Sequence, residues 1–264
     1  RPSSTRPPSA YNTPTTTITN PTRNPSYWDN IYTDIHTHLK KSIPIREPVT
    51  VFEPMHDLTF APPIATASAL CVAACELVGG QREDAIVAAS AIHLMHATIY
   101  THDNLVVSGR VGAISGSEPR SGSETLHRFG PNVELMTGDG IMPYGFELLA
   151  GSVIIEISRA GGAEGMKMIN DGDEYEVEFD QWRGQRQLHG CGAACGAIMG
   201  GGTTEEIERL RRYGVYVGKI QGVLSGNVES EGVKKELVEK LRNLALKELE
   251  CFDSKMVEQI SSIV

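Results

Sequence analysis

Aspartate is scarce in this sequence: it supplies only ten of the 33 acidic residues, and no two of the ten are adjacent. That excludes adjacent aspartate pairs as a scaffold for clustered divalent cations. Basic residues are also few, 24 against 33 acids for a net charge of −9. A nucleic-acid binder driven by phosphate neutralisation needs the opposite balance. No apolar run approaches the ~18 residues of a membrane-crossing helix. No Gly-rich phosphate loop, GxSxG elbow or HExxH pair is present, so the nucleotide, serine-hydrolase and zincin classes find no support. The five cysteines, Cys71, Cys75, Cys191, Cys195 and Cys251, are odd in number and sparse for a chain of 264 residues. They do not read as a secreted disulfide framework, and a reducing compartment fits better.

What is present is helical. Strand-like alternation is nearly absent. Pro62-Pro63 opens a stretch through Ala65, Ala69, Leu70, Val72 and Leu77 that Gly79-Gly80 closes. A second helix is predicted over about 82–104, with Ile86, Ala89, Ile92, His93 and His96 at helical spacing. Residues 108–123, with four glycines and five serines, read as a loop. Helices resume over 131–159, with a kink or break expected at Pro143, and again at 187–200, closed by Gly200-Gly201-Gly202. Thr203-Thr204-Glu205-Glu206 has the form of a capping box. A last helix should bury Val233, Leu237, Leu241, Leu244 and Ala245. The expectation is one all-α domain over 29–264.

Residues 1–28 differ from the rest. They hold three arginines, no acid, six prolines and seven threonines. Such a segment buries too little apolar surface to offset its ordering entropy, so disorder is expected. The composition suits a plain flexible tail or the remnant of an organelle transit peptide. Arg1 in place of a methionine suggests that further sequence precedes it. The remaining residues then carry −12, 21 basic against 33 acidic.

Three groups of residues are candidates for chemistry. Cys71-Val-Ala-Ala-Cys75 and Cys191-Gly-Ala-Ala-Cys195 each place two thiols on one helical face among small residues. Core packing, a Cys₄ zinc site and a helix-packing face for another subunit all fit that spacing; a disulfide within a regular helix is sterically awkward. His93, His96, His102 and Asp103 suggest a metal site, but neutral Asn104 follows Asp103 and no second carboxylate lies near. Residues 170–180 carry six acids, but Tyr175 spoils the calcium-loop pattern, which leaves a solvated acidic loop.

The order of elements resembles the plant short-chain trans-prenyltransferases. Ala69 to Gly80 is similar to the end of an early helix of that family, and Ala91 to Leu105 to the helix that carries its first aspartate-rich motif. Met136-Thr-Gly-Asp-Gly140 and Gly200 to Glu206 are similar to two later helix starts. The resemblance spans about residues 45–264 and implies an isoprenoid-synthase-type helical bundle. Two CxxxC elements joined to degraded aspartate motifs are most similar to the small subunits of heteromeric geranyl diphosphate synthases.

The departures decide what the resemblance implies. Active members hold Mg²⁺ on two aspartate clusters and ionise an allylic diphosphate. Here the first cluster is Asp103-Asn-Leu-Val-Val-Ser-Gly109, and the second falls at Lys219-Ile-Gln-Gly-Val-Leu-Ser-Gly-Asn227, which has no acid. The family's Gly-Lys-Arg grip is replaced by Met55 to Pro63, and its later Lys-Thr by Trp182 to Gln187. Arg120, Arg183 and Arg186 suit phosphate but do not replace metal ions. His96 matches a family histidine at the isopentenyl diphosphate, and Asp103 the first aspartate; both are expected to be relics. The resemblance thus implies a chain without catalytic residues or metal of its own, inactive alone. It would pair with a catalytic geranyl(geranyl) diphosphate synthase large subunit that holds the Mg²⁺, in the plastid, and direct the product to C10 for monoterpenes. Control would act by reshaping the elongation cavity or by speeding product release. Cys71, Cys75, Cys191 and Cys195 would mark the partner interface. Two other readings of the residues stay open: an autonomous metal-dependent enzyme using His93, His96, Asp103 and the acidic run, and a prenyl-diphosphate-binding protein.

Overall fold

A computed structural model describes residues 25–107, 128–149, 183–225 and 231–264. Among the described residues every regular element is an α-helix, as the periodicity predicts. In chain order they are α1 (Pro25–Ser42), α2 (Val49–Thr59), α3 (Thr66–Leu77), α4 (Arg82–Val107), α5 (Pro131–Leu148), α6 (Arg183–Met199), α7 (Thr204–Ser225), α8 (Glu231–Glu248) and α9 (Ser254–Ser261).

Helix α3 lies at the centre. Ten of its twelve residues are buried, and it packs against α1, α4, α6, α7 and α9. Its ends follow the predicted chemistry. Gly79 takes a left-handed φ of 94°, which an L side chain resists, and Gly80 N–H returns to Cys75 O at 2.9 Å. Ala65 caps the helix rather than lying within it.

The seam between α3 and α6 sets the depth of the core. A Cβ on Gly192 would stand 2.1 Å from Ala67 O, and one on Gly196 1.9 Å from Cys71 O. Only glycine lets these two backbones approach so closely. On the other side of α6, a Cβ on Gly214 of α7 would stand 2.3 Å from His189 O. Helix α6 is therefore pressed between α3 and α7, and it also touches α4.

The capping box forms as predicted: Thr203 N–H donates to Glu206 Oε2 at 2.7 Å, and Glu206 N–H to Thr203 Oγ1 at 3.3 Å. Other expectations change. Helices α1, α2 and α9 were not predicted. Pro25 to Trp28, assigned by composition to the tail, belong to α1. There Trp28, Ile31, Ile35 and Leu39 form a fully buried stripe, and Trp28 Nε1–H donates to Ser262 Oγ at 2.9 Å. Helix α5 runs through Pro143 without ending, because Pro143 lies on its outward face, where water can meet the carbonyl that loses its partner. On α8, Leu241 and Ala245 are buried, but Val233 and Leu244 are exposed at 57% and 38%. Residues 108–123 and 150–182, the acidic run 170–180 among them, lie outside the described residues, as does Arg120.

Candidate functional site

The C-terminal half of α4 presents His93, His96, Tyr100 and Asp103 at intervals of three, four and three residues, one face of a helix. His93 is fully buried, and its Nε2–H donates to Thr59 O at 2.9 Å, while its Nδ1 accepts from Ala65 N–H at 3.4 Å. It joins α4 to the end of α2 and the start of α3. Burial pushes its pKa down to about 4. His93 is thus a satisfied core histidine, which removes it from the metal set suggested by sequence.

His96 lies one turn further along, its ring 6.0 Å from that of His93 and 6.3 Å from that of Tyr100. Burial, then the neighbouring His93 and His189, hold its pKa down at about 3. His189 comes from α6, and its Nε2–H donates to Gln221 Oε1 of α7 at 2.9 Å. Helices α6 and α7 thus bring His189 and Gln221 toward the His96 face of α4. Sequence reasoning did not single out Tyr100, His189 or Gln221. Gln221 stood inside the stretch 219–227, read only for its missing acids, and His189 precedes the second CxxxC element by two residues.

Asp103 is half-buried where α4 approaches solvent, and burial raises its pKa, with His102 opposing. Asn104 turns its Nδ2–H back to Tyr100 O at 2.7 Å, so its amide serves its own helix. His102 Nε2 stands 3.3 Å from Asp139 Oδ1 of α5. Magnesium asks for several carboxylate or water oxygens in near-octahedral array. Asp103, whose charge burial disfavours, is followed by the amide of Asn104 in place of a second carboxylate, and does not supply that array. Among the described residues no three His, Cys, Asp or Glu side chains gather where they could hold a metal.

The four paired cysteines are placed elsewhere. Cys71, Cys75, Cys191 and Cys195 are all buried, at 3% exposure or less, where α3 meets α6. Burial, with Cys191 and Cys75 adding to it, pushes the Cys71 thiol well above its ordinary pKa. Burial likewise raises Cys75 to about 11, and its Sγ–H donates to Gln81 O at 3.3 Å. Among the described residues these thiols do not gather with a third His, Cys, Asp or Glu side chain where they could hold a metal. Cys191 Sγ and Cys195 Sγ lie 3.9 Å apart. Within the chain the Cys71 thiol lies 4.0 Å from Ala85 O of α4, and that of Cys75 meets the turn between α3 and α4. On α3 the carbonyls of Ala67 and Cys71 form the surface onto which Gly192 and Gly196 of α6 fit.

No family model matches the chain. It is 40% identical over 267 aligned residues to a "heterodimeric geranylgeranyl pyrophosphate synthase small subunit 2, chloroplastic" from Cannabis sativa, covering 90% of each chain. It is similar in structure to the geranyl diphosphate synthase small subunit of Antirrhinum majus, with a TM-score of 0.76 and 45% identity across 89% of this chain and 96% of that one. It is also 29% identical over 229 residues, 77% of this chain and 60% of the relative, to a "heterodimeric geranylgeranyl pyrophosphate synthase large subunit 1, chloroplastic" from Arabidopsis thaliana. The helical bundle with its seam of small residues accordingly belongs to the small subunits of plant heteromeric prenyl diphosphate synthases, within the short-chain trans-prenyltransferase family.

Proposed function

We propose that the chain is a non-catalytic regulatory subunit. It pairs in the plastid with a catalytic large subunit that condenses dimethylallyl and isopentenyl diphosphates, and it directs the product to C10 geranyl diphosphate. One observation carries this reading: of the two stretches that face the cleft in the catalytic family, one keeps Asp103 alone and the other, 219–227, keeps no acid. Departure of a diphosphate needs several metal-held charges, and stabilisation of that charge is usually the largest catalytic term. In their place this chain sets neutral His96 near His189, which is hydrogen-bonded to Gln221. In this reading the Mg²⁺ and both substrates sit on the partner. The chloroplastic names of its relatives support the plastid, and the solved small subunit supports the C10 product.

A second reading of the product is favoured by the Cannabis relative, whose name specifies geranylgeranyl diphosphate. Here the small subunit raises the output of a C20 synthase without shortening its product. One experiment separates the two: co-expression with a plant large subunit, followed by chain-length analysis of the products. A shift from C20 to C10 supports the first reading, and a faster but unshifted C20 synthesis the second. Robust turnover by the isolated chain with Mg²⁺ and both substrates would sink both.

A further inference from the structure

Helix α6 is weak by its own residues. Among residues 190–196 stand Gly190, Gly192 and Gly196, and each glycine weakens a helix interior relative to alanine. The helical form of this turn is therefore held from outside. Carbonyls of α3 press on Gly192 and Gly196, and a Cβ on Gly190 would stand 2.8 Å from Val215 Cγ2 of α7. Where that packing opens, little in the turn itself resists a change of backbone.

The same turn carries two thiols in contact. Cys191 Sγ and Cys195 Sγ are 3.9 Å apart, buried at 3% and 0% exposure. A glycine directly follows each of them. The pair on α3 is placed differently. Val72 and Glu76 follow Cys71 and Cys75, and their thiols turn to Ala85 O at 4.0 Å and Gln81 O at 3.3 Å.

A disulfide needs its Cβ atoms ~3.8 Å apart, whereas positions i and i+4 of a regular helix hold them ~5–6 Å apart. A bond between Cys191 and Cys195 must therefore draw their Cβ atoms together by ~1–2 Å. A regular turn does not allow this, and a glycine-flanked turn allows it by unwinding. The α3 side has no slack, since Gly192 and Gly196 already meet Ala67 O and Cys71 O at distances that exclude a Cβ. A turn that unwinds there parts from α3.

We propose that Cys191 and Cys195 are a redox-sensitive pair, joined by a peroxide-class oxidant in a disulfide that loosens the seam between α6 and α3. Cys191, the less deeply buried of the two, meets the oxidant first when the turn opens. Its thiolate attacks the peroxide. An S–O bond forms, the O–O bond breaks, and the leaving hydroxide takes up a proton as water, which gives the sulfenic acid. The Cys195 thiolate then attacks that sulfur. The S–S bond forms, the S–O bond breaks, and a second water leaves. Two thiols lose two electrons and two protons, and one peroxide becomes two waters. A dithiol reductant reverses the bond by exchange. The seam is thus closed in a reducing compartment and loosened under peroxide.

The test uses the full chain carrying Cys251→Ser, so that the exposed thiol cannot link two copies. This parent is treated with hydrogen peroxide, its remaining thiols are alkylated, and its peptides are mapped by mass. The product should have lost two hydrogen atoms within the peptide that holds Cys191 and Cys195. It should melt several degrees below the untreated chain, and dithiothreitol should restore both mass and melting. Cys191→Ala and Cys195→Ala should each abolish the reversible change, while Cys71→Ala retains it. Three results overturn the proposal. One is that no disulfide forms below the peroxide concentration that unfolds the chain. Another is a disulfide that joins any other pair. The third is a bond between Cys191 and Cys195 that leaves the melting temperature unchanged, since α6 then holds it without yielding. Where an alanine variant does not fold, the mass map and melting of the parent decide alone.

Discussion

His93 and His96 sit one turn apart on α4, and burial holds both neutral in the folded chain. In the unfolded chain each returns to its ordinary pKa near 6.5. Below that pH the unfolded state therefore binds more protons than the folded one, and stability falls as pH falls. For His93, with its folded pKa about 4, the loss is present in part at pH 5, where it amounts to ~2 kcal/mol, and is complete only below pH 4. Urea midpoints should accordingly drop between pH 7 and pH 5. In His93→Gln, whose amide can still donate to Thr59 O, the drop should be smaller by about that amount. Parallel pH profiles for the two proteins would show that His93 is not the neutral clasp between α4, α2 and α3. The position of these histidines on one helical face is plain from their spacing. Their separate roles are not, because a ligand, a relic and a core clasp share the same spacing and differ only in what the neighbouring helices bring.

At the scale of elements, the two CxxxC helices show where sequence reading stops. Small residues on one face imply that another helix comes close. The pattern is the same whether that helix belongs to the same chain or to a partner. Gly192 and Gly196 answer the carbonyls of Ala67 and Cys71, so the seam is internal. The same limit explains α1. Its stripe of Trp28, Ile31, Ile35 and Leu39 is present in the sequence, but threonine, histidine and aspartate of modest helix propensity lie between, and a proline-rich tail precedes it. Where caps were strong, at Gly79 and at Thr203, the ends were legible. Two glycine substitutions test the seam by opposite outcomes. Gly196→Ala places a methyl carbon 1.9 Å from Cys71 O and should destabilise by about 1–3 kcal/mol or more, through forced separation of α3 and α6. Gly140→Ala meets open space in an exposed helix and should stabilise by up to ~1 kcal/mol. Thermal melting of both variants should move in opposite directions; a matching loss would mean that α5 is covered within the chain.

For the whole molecule, the fold rests on contacts that involve no cluster of carboxylates. The core is held by α3, by the glycine contacts of α6, and by straps such as Trp28 to Ser262 and Tyr213 O–H to Ile260 O at 2.8 Å. None of these contacts uses a carboxylate. Clustered carboxylates without metal repel one another, so their loss removes a strain and leaves the fold intact. Restoring one acid should therefore bring back the strain and not the ion. Asn104→Asp puts a second carboxylate beside half-buried Asp103 and removes the hydrogen bond to Tyr100 O. It should destabilise by about 1 kcal/mol at neutral pH. Millimolar Mg²⁺ should not recover that loss, since the stretch 219–227 has no acid to share the ion. The measurement is the melting temperature of parent and variant with and without Mg²⁺. A rise of several degrees with Mg²⁺ in Asn104→Asp alone would mean that the two adjacent carboxylates of α4 suffice to bind the ion without help from the stretch 219–227.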